Sequence, residues 1–266
     1  MKTALVTGAS EGIGLEFCRD LAGRGYHLIL VARRADVLAR VAQELESMHK
    51  IQCHTMPMDL AAPDAAEKLF QAVQAAKLQV DFLVNNAGIL FNGDFLDTDR
   101  KGQEKLLQLN IVALTSLTHL FASQMKLHGG GYILNVASTA AWLSLPGENV
   151  YAASKAYVLS FSQALADELK AAGSGVYVTA LCPGYTDTRM LDNPAQGKKL
   201  SIPRFMILSP ADVARQGIAA CLRGKVTCMP GLSNRILMYL VQILPRMFVA
   251  RTMGAAYRRS FQKARG

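Results

Sequence analysis

Residues 3–14 read TALVTGASEGIG. A short run of apolar and β-branched residues, Thr3–Thr7, meets three glycines at positions 8, 12 and 14, and a helical pattern follows over 11–24. A buried strand that breaks into glycine and restarts as a helix brings free backbone N–H groups and the positive end of the helix dipole to one point. Nothing larger than a hydrogen then blocks a pyrophosphate from the backbone. Glycines also mark ordinary tight turns, and the spacing here is Gly-x-x-x-Gly-x-Gly rather than Gly-x-Gly-x-x-Gly. Placement directly after the first strand is what favours the phosphate reading.

Outward from this loop, apolar β-rich runs alternate with helical patterns. Strands are predicted over 26–32, 51–58, 81–85, 131–138 and 175–182. Helices are predicted over 35–48, 62–76, 103–125, 151–172 and 210–222, the last opened by Ser209 as cap and Pro210 in the first turn. This alternation implies an α/β fold, a doubly wound parallel sheet with helices on both faces. With no repeat or long linker, residues 1–266 read as a single domain. It has a less regular lobe at about 186–209 and an apolar, basic C-terminal extension at about 224–266.

Composition narrows the class. The 266 residues are 51% apolar and 18% charged, which excludes wholesale disorder. The net charge of +9 is uneven: residues 213–266 hold ten Lys/Arg and no acid, while the rest is close to neutral. Without a recognised motif, that surplus gives no case for nucleic acid. The opening apolar run is too short for a secretory signal. Five cysteines with no Cys-x-x-Cys pair read as reduced thiols of a cytoplasmic protein, and the five histidines lack metal-ligand spacing.

The second predicted strand ends Val31-Ala32-Arg33-Arg34. Where a carboxylate often holds the ribose of NAD, two guanidiniums stand that could grip a 2′-phosphate, or lie solvated at a helix start. NADP(H) is therefore the expected cofactor, with NAD(H) still open. Asp59, followed by Leu60 at the end of the third strand, could accept from the adenine amino group or cap the next helix.

Tyr151 and Lys155 are four residues apart, hence on one helical face, and Ser138 ends the fifth strand at the sheet edge where such folds place ligands. An ammonium beside the tyrosine, with the positive charge of an oxidised nicotinamide, would favour its phenolate, making it an acid–base group, while Ser138 held the substrate oxygen.

Taken together these residues resemble the short-chain dehydrogenase/reductase family, in its shorter branch with a Tyr-x-x-x-Lys active site. The likeness runs over about 3–222. It rests on Thr7-Gly8-x-x-x-Gly12-Ile13-Gly14, Asn85-Asn86-Ala87-Gly88, Ser138, Tyr151-x-x-x-Lys155 and Pro183-Gly184, in order. The resemblance implies a Rossmann-type sheet of seven strands and a catalytic tetrad of Asn110, Ser138, Tyr151 and Lys155, with Asn110 bending its helix and anchoring a water. It implies cofactor contacts from Gly8, Ser10, Glu11, Gly12, Ile13, Gly14, Asn86, Ala87 and Gly88, and nicotinamide contacts from Pro183, Gly184, Thr186 and Thr188. Tyr151 and Lys155 would also touch the cofactor ribose. Glu11 would oppose a 2′-phosphate if it faced one. Homodimers or homotetramers, paired through the Tyr151 helix and the one before it, are the family's habit.

Ala140, Trp142, Leu145, Tyr185 and Met190, with Ser138, are the expected substrate pocket, suited to an apolar ketone, 3-oxoacyl chain or steroid-like carbonyl. An NADPH-dependent carbonyl reductase is the leading expectation. A membrane-recruited lipid or steroid dehydrogenase working oxidatively, and a silent NADP(H)-sensing protein, are the alternatives. The extension past Gly224 has three readings: a lid or subunit contact, an interfacial helix on anionic lipid, or a nucleic-acid contact without motif support.

Overall fold

β1, Thr3–Thr7, is buried along its whole length because it lies at the centre of a seven-stranded sheet ordered β3-β2-β1-β4-β5-β6-β7, every pair parallel. The computed structural model describes residues 2–188 and 207–262. The other strands are β2 His27–Ala32, β3 Cys53–Pro57, β4 Phe82–Asn85, β5 Gly131–Val136, β6 Val176–Leu181 and β7 Thr227–Cys228. β7 has only two residues, too few to leave a strand pattern in the sequence.

Alternation by two divides the core. Ala4, Val6, Leu28 and Leu30 face one side, where Phe17, Leu21, Leu38 and Ile218 cover them. Leu5, Ile29 and Val31 face the other, against Leu69, Val73, Leu117 and Phe121. The first layer belongs to α1 Gly12–Gly23, α2 Ala35–His49 and α7 Pro210–Leu222. The second belongs to α3 Ala65–Ala75, α5 Leu114–Leu127 and α6 Asn149–Ala171. Ser209 caps α7 as expected, its hydroxyl accepting from Asp212 N–H at 3.3 Å.

The long helix expected over 103–125 is continuous but not uniform. α4 Arg100–Leu107 passes through a π-helical turn, Gln108–Ala113, before α5. A π turn inserts one extra residue and re-aims the side chains within it, and Asn110 sits there. The run 100–127 is long and apolar enough to cross a membrane, yet α5 packs against β4 and β5.

A buried polar ladder fixes α5 and α6 to the sheet. Asn85 donates to Thr118 Oγ1 at 3.0 Å and to Asn135 Oδ1 at 2.9 Å, and Asn135 donates to Ser162 Oγ at 3.0 Å. In a dry interior each of these polar groups is costly unless paired, so the ladder selects one register.

The C-terminal extension forms two helices, α8 Leu232–Ile243 and α9 Arg246–Gln262, separated at Pro245.

Candidate active site

The strand order reverses between β1 and β4, so their carboxyl ends diverge and leave a crevice. Thr7 closes its floor. Its hydroxyl accepts from Asn86 N–H at 2.9 Å and Ala87 N–H at 3.0 Å, while Asn86 Nδ2 donates back to Thr7 O at 2.9 Å. The glycine loop is packed backbone to backbone: a Cβ on Gly14 would stand 2.0 Å from Gly8 O, and one on Gly8, at φ +69°, 2.7 Å from Asn86 Nδ2. Above lies a groove of about 340 Å³. Its walls include Gly8, Ser10, Glu11, Gly12, Ile13 and Gly14 of the loop, both arginines, Asp59, Leu60, Asn86, Ala87, Gly88 and Thr188. A loop that excludes side chains, facing a helix N-terminus and two guanidiniums, fits a dinucleotide.

The two arginines differ. Arg34 pairs with Glu11 at 2.7 Å and donates to Ser10 Oγ at 3.3 Å. Glu11 is thus a partner of Arg34 instead of an isolated charge facing the groove. Arg33 is exposed and makes no ion pair among the described residues. Asp59 does not cap the next helix: α3 begins after Asp64. Its Oδ1 accepts from Ala61 N–H at 3.1 Å and its Oδ2 pairs with Lys105 at 2.9 Å. Burial raises this carboxyl, but those hydrogen bonds and the Lys105 charge outweigh it and hold it below the ordinary range. Lys105 was not foreseen; nothing local in the sequence signals a lysine reaching across from α4.

The second cavity, about 310 Å³, shares Ile13, Asn86, Gly88 and Thr188 with the first. It receives Ser138, Tyr151, Lys155, Pro183, Gly184 and Thr186 from the far side. Ser138 lies two residues past β5, its Oγ accepting from Ala140 N–H at 3.1 Å. Lys155 is buried, donates to Val136 O at 2.8 Å, and lies 5.6 Å from the Tyr151 ring centroid. Asn110 accepts from Ile89 N–H and donates to Ile89 O, both at 3.0 Å, and to Ser154 Oγ at 3.2 Å. The π turn thereby brings Asn110 under the Tyr151 helix.

Electrostatics correct one expectation. Burial pushes the Tyr151 phenol up, Glu148 adds to this, and the Ser138 hydrogen bond only partly offsets them. Lys155 is itself drawn down to about 8 by burial. The protein's own groups therefore favour the neutral phenol, not the phenolate, because desolvation outweighs an ammonium lying over the ring face.

Ala140, Leu145 and Tyr185 line this cavity as expected. Trp142 does not. The short helical turn Thr139–Trp142 carries it away, into a separate cleft beyond α8. Met190 lies outside the described residues. Sequence reasoning missed Glu148, buried at the start of α6; the wall from the extension fits the lid reading, although its residues, Leu237, Met238 and Val241 of α8 with Val249, Thr252 and Met253 of α9, were not named. Only the apolar content of that segment hinted at them.

The short-chain dehydrogenase family model matches residues 2–199. The chain belongs to this family. It is an oxidoreductase. It is 31% identical over 191 residues to human very-long-chain 3-oxoacyl-CoA reductase, an alignment covering 70% of this chain and 60% of that protein. A short-chain dehydrogenase from Sphingobium yanoikuyae in complex with NADPH superposes with a TM-score of 0.80 at 28% identity, covering 92% and 97% of the two chains. A 7beta-hydroxysteroid dehydrogenase superposes with a TM-score of 0.85 at 25% identity, covering 95% and 96%. The alignment thus spans about 60% of the human relative's length.

Proposed function

We propose that this short-chain dehydrogenase reduces an apolar carbonyl, a ketone or a 3-oxoacyl or steroid-like substrate, to the alcohol with NADPH as hydride donor. The observation that carries this is the junction of the two cavities. The groove of the glycine loop opens, past Ile13, Asn86, Gly88 and Thr188, onto an apolar chamber where Ser138 and Tyr151 meet.

When bound in the groove of the glycine loop, NADPH would supply the hydride that the carbonyl carbon accepts. Ser138 and Tyr151 hold the carbonyl oxygen between them. Tyr151, neutral and half-buried, gives that oxygen a proton, and Lys155 with Asn110 carries the replacement from solvent. Closure of the chamber by α8 and α9 keeps water from the reacting atoms. The names of the human 3-oxoacyl-CoA reductase and the 7beta-hydroxysteroid dehydrogenase support a long or ring-shaped apolar substrate.

The unpaired Arg33 supports NADPH over NADH. A charge-assisted contact to a 2′-phosphate contributes about 1.5–3 kcal/mol. Arg33→Ala is therefore expected to raise the KM for NADPH by about tenfold or more and leave that for NADH nearly unchanged. Equal losses for both would remove the 2′-phosphate role. Arg34→Ala is expected to do less, since Glu11 already neutralises Arg34.

The substrate class is tested by NADPH oxidation against aliphatic, aromatic, steroid and acyl-thioester ketones. Turnover confined to small polar sugars would overturn the apolar reading. We further propose a reducing, cytoplasmic setting, supported by five free thiols of which four are buried. Self-association through α6 and the helix before it is supported by Val112, in the π turn leading into α5, and Tyr157 of α6, which stay exposed. A monomer by light scattering would exclude it.

A further inference from the structure

α8 has three faces with different fates. Its inner face, with Leu237, Met238 and Val241, closes the substrate cavity. Its outer face carries Leu232, Ile236, Tyr239, Leu240 and Ile243, spaced by four, three, one and three residues, so that they form one stripe. All five are exposed, Tyr239 by 72% and Ile243 by 80%. Met247 and Phe248 extend the exposed apolar surface past Pro245 into α9. Apolar groups so concentrated on one surface are unusual for a soluble protein and mark a contact.

The third face is cationic. A cleft of about 550 Å³ lies beside α8, lined by Arg223, Lys225 and Arg235 together with Trp142 and Tyr239. Tyr239 thus belongs to both the cleft and the stripe. Arg246 and Arg251 flank the stripe on the α9 side, and residues 213–266 contain no acid at all. A two-fold contact with a second copy would set this one-signed surface against itself, since an isologous interface pairs like patches. An anionic bilayer satisfies both features: the stripe enters the acyl boundary while arginines and aromatics sit at headgroup level.

We infer that the outer stripe of α8 and the start of α9 dock on an anionic lipid bilayer, with the Arg223–Lys225–Arg235 cleft receiving lipid headgroups. The docked helix is the same one that walls the substrate chamber, so an apolar substrate would enter from the lipid side. The docking stands without the carbonyl reading, whereas the entry route rests on it.

The test is flotation of the full chain with vesicles of phosphatidylcholine alone or mixed with phosphatidylglycerol. The chain should float with the mixed vesicles, less so as salt rises, and about tenfold less with phosphatidylcholine alone. Ile236→Glu with Ile243→Glu should abolish flotation while NADPH binding and thermal unfolding stay as in the wild type. Arg246→Gln with Arg251→Gln, which leaves the stripe intact, should weaken it on mixed vesicles only. Failure of the wild-type chain to float overturns the proposal, as does unaltered flotation of both double variants. Conversion of a wild-type dimer to monomers by the glutamate pair, with no flotation, would assign the face to self-association instead. NADPH oxidation against soluble ketones is scored separately, so loss of docking and loss of the reductase reading are told apart.

Discussion

Tyr151→Phe is expected to lower turnover by about 10²–10⁴-fold, the span of general acid catalysis, and to leave NADPH affinity within a factor of about two. The substitution keeps the ring that packs at the start of α6 and removes only the hydroxyl. The loss should fall on kcat and on kcat/KM alike, the mark of an interaction made in the transition state. Because burial holds the phenol neutral, the wild-type enzyme has its proton donor in place at neutral pH. Lys155, at about 8, is the group expected to limit the alkaline side: reduction should slow above about pH 8 as the ammonium is lost. Stopped-flow NADPH oxidation and fluorescence titration of the cofactor separate the two quantities. A Phe variant retaining most of its turnover would transfer the proton-donating role away from Tyr151.

Glu148→Gln is expected to stabilise the fold, and only at neutral and alkaline pH. Glu148 is 8% exposed and caps no helical N–H with its side chain. Burial raises its carboxyl from 4.5 to about 7. The folded state thus holds this proton more tightly than the unfolded state. Stability is fully present below 4.5 and is lost as pH rises towards and through about 7. At about 1.4 kcal/mol per pH unit, that window corresponds to about 3 kcal/mol of burial cost at pH 8. The amide removes it, so unfolding should shift upward by up to about 10 °C at pH 8 and hardly at all at pH 4.5. Thermal melts of both proteins across this range check the sign. Equal shifts at both pH values would exclude titration as the cause. Glu148 also pushes up Tyr151 and Tyr185 in the same chamber. The wild-type residue is therefore a destabilising group kept beside the tyrosine proposed to react, as expected where stability is sacrificed at functional positions.

The central sheet and the glycine loop were legible because their signals are local. A run such as Thr3–Thr7 before glycine, or Tyr151 and Lys155 at one helical repeat, can be read without knowing what lies opposite. Asn110 was legible only through resemblance, since a π turn leaves no composition of its own. The strength of desolvation at Tyr151 was not foreseen, for the same physical reason that Lys105 and Glu148 were missed. How deeply a group is buried, and what reaches it from another element, are properties of the packed chain. Trp142 failed by direction: a tight turn after Ser138 reverses the side-chain order, and an aromatic near the site in sequence ends up on the far side of α8.

The family match ends at residue 199, yet the wall of the substrate chamber contributed by α8 and α9 begins beyond 230. The chamber proposed to select the substrate is therefore shared between the family core, through Ala140, Leu145 and Tyr185, and the two C-terminal helices. The proposed reacting groups stand on α6, in the π turn and just past β5, held to the central sheet by the Asn85–Asn135–Ser162 ladder. α8 and α9 wall the side of this chamber that carries none of the proposed proton-handling residues, which all lie between Asn110 and Lys155. A chimaera carrying another family member's C-terminal helices should thus shift towards that member's substrate while keeping this chain's cofactor.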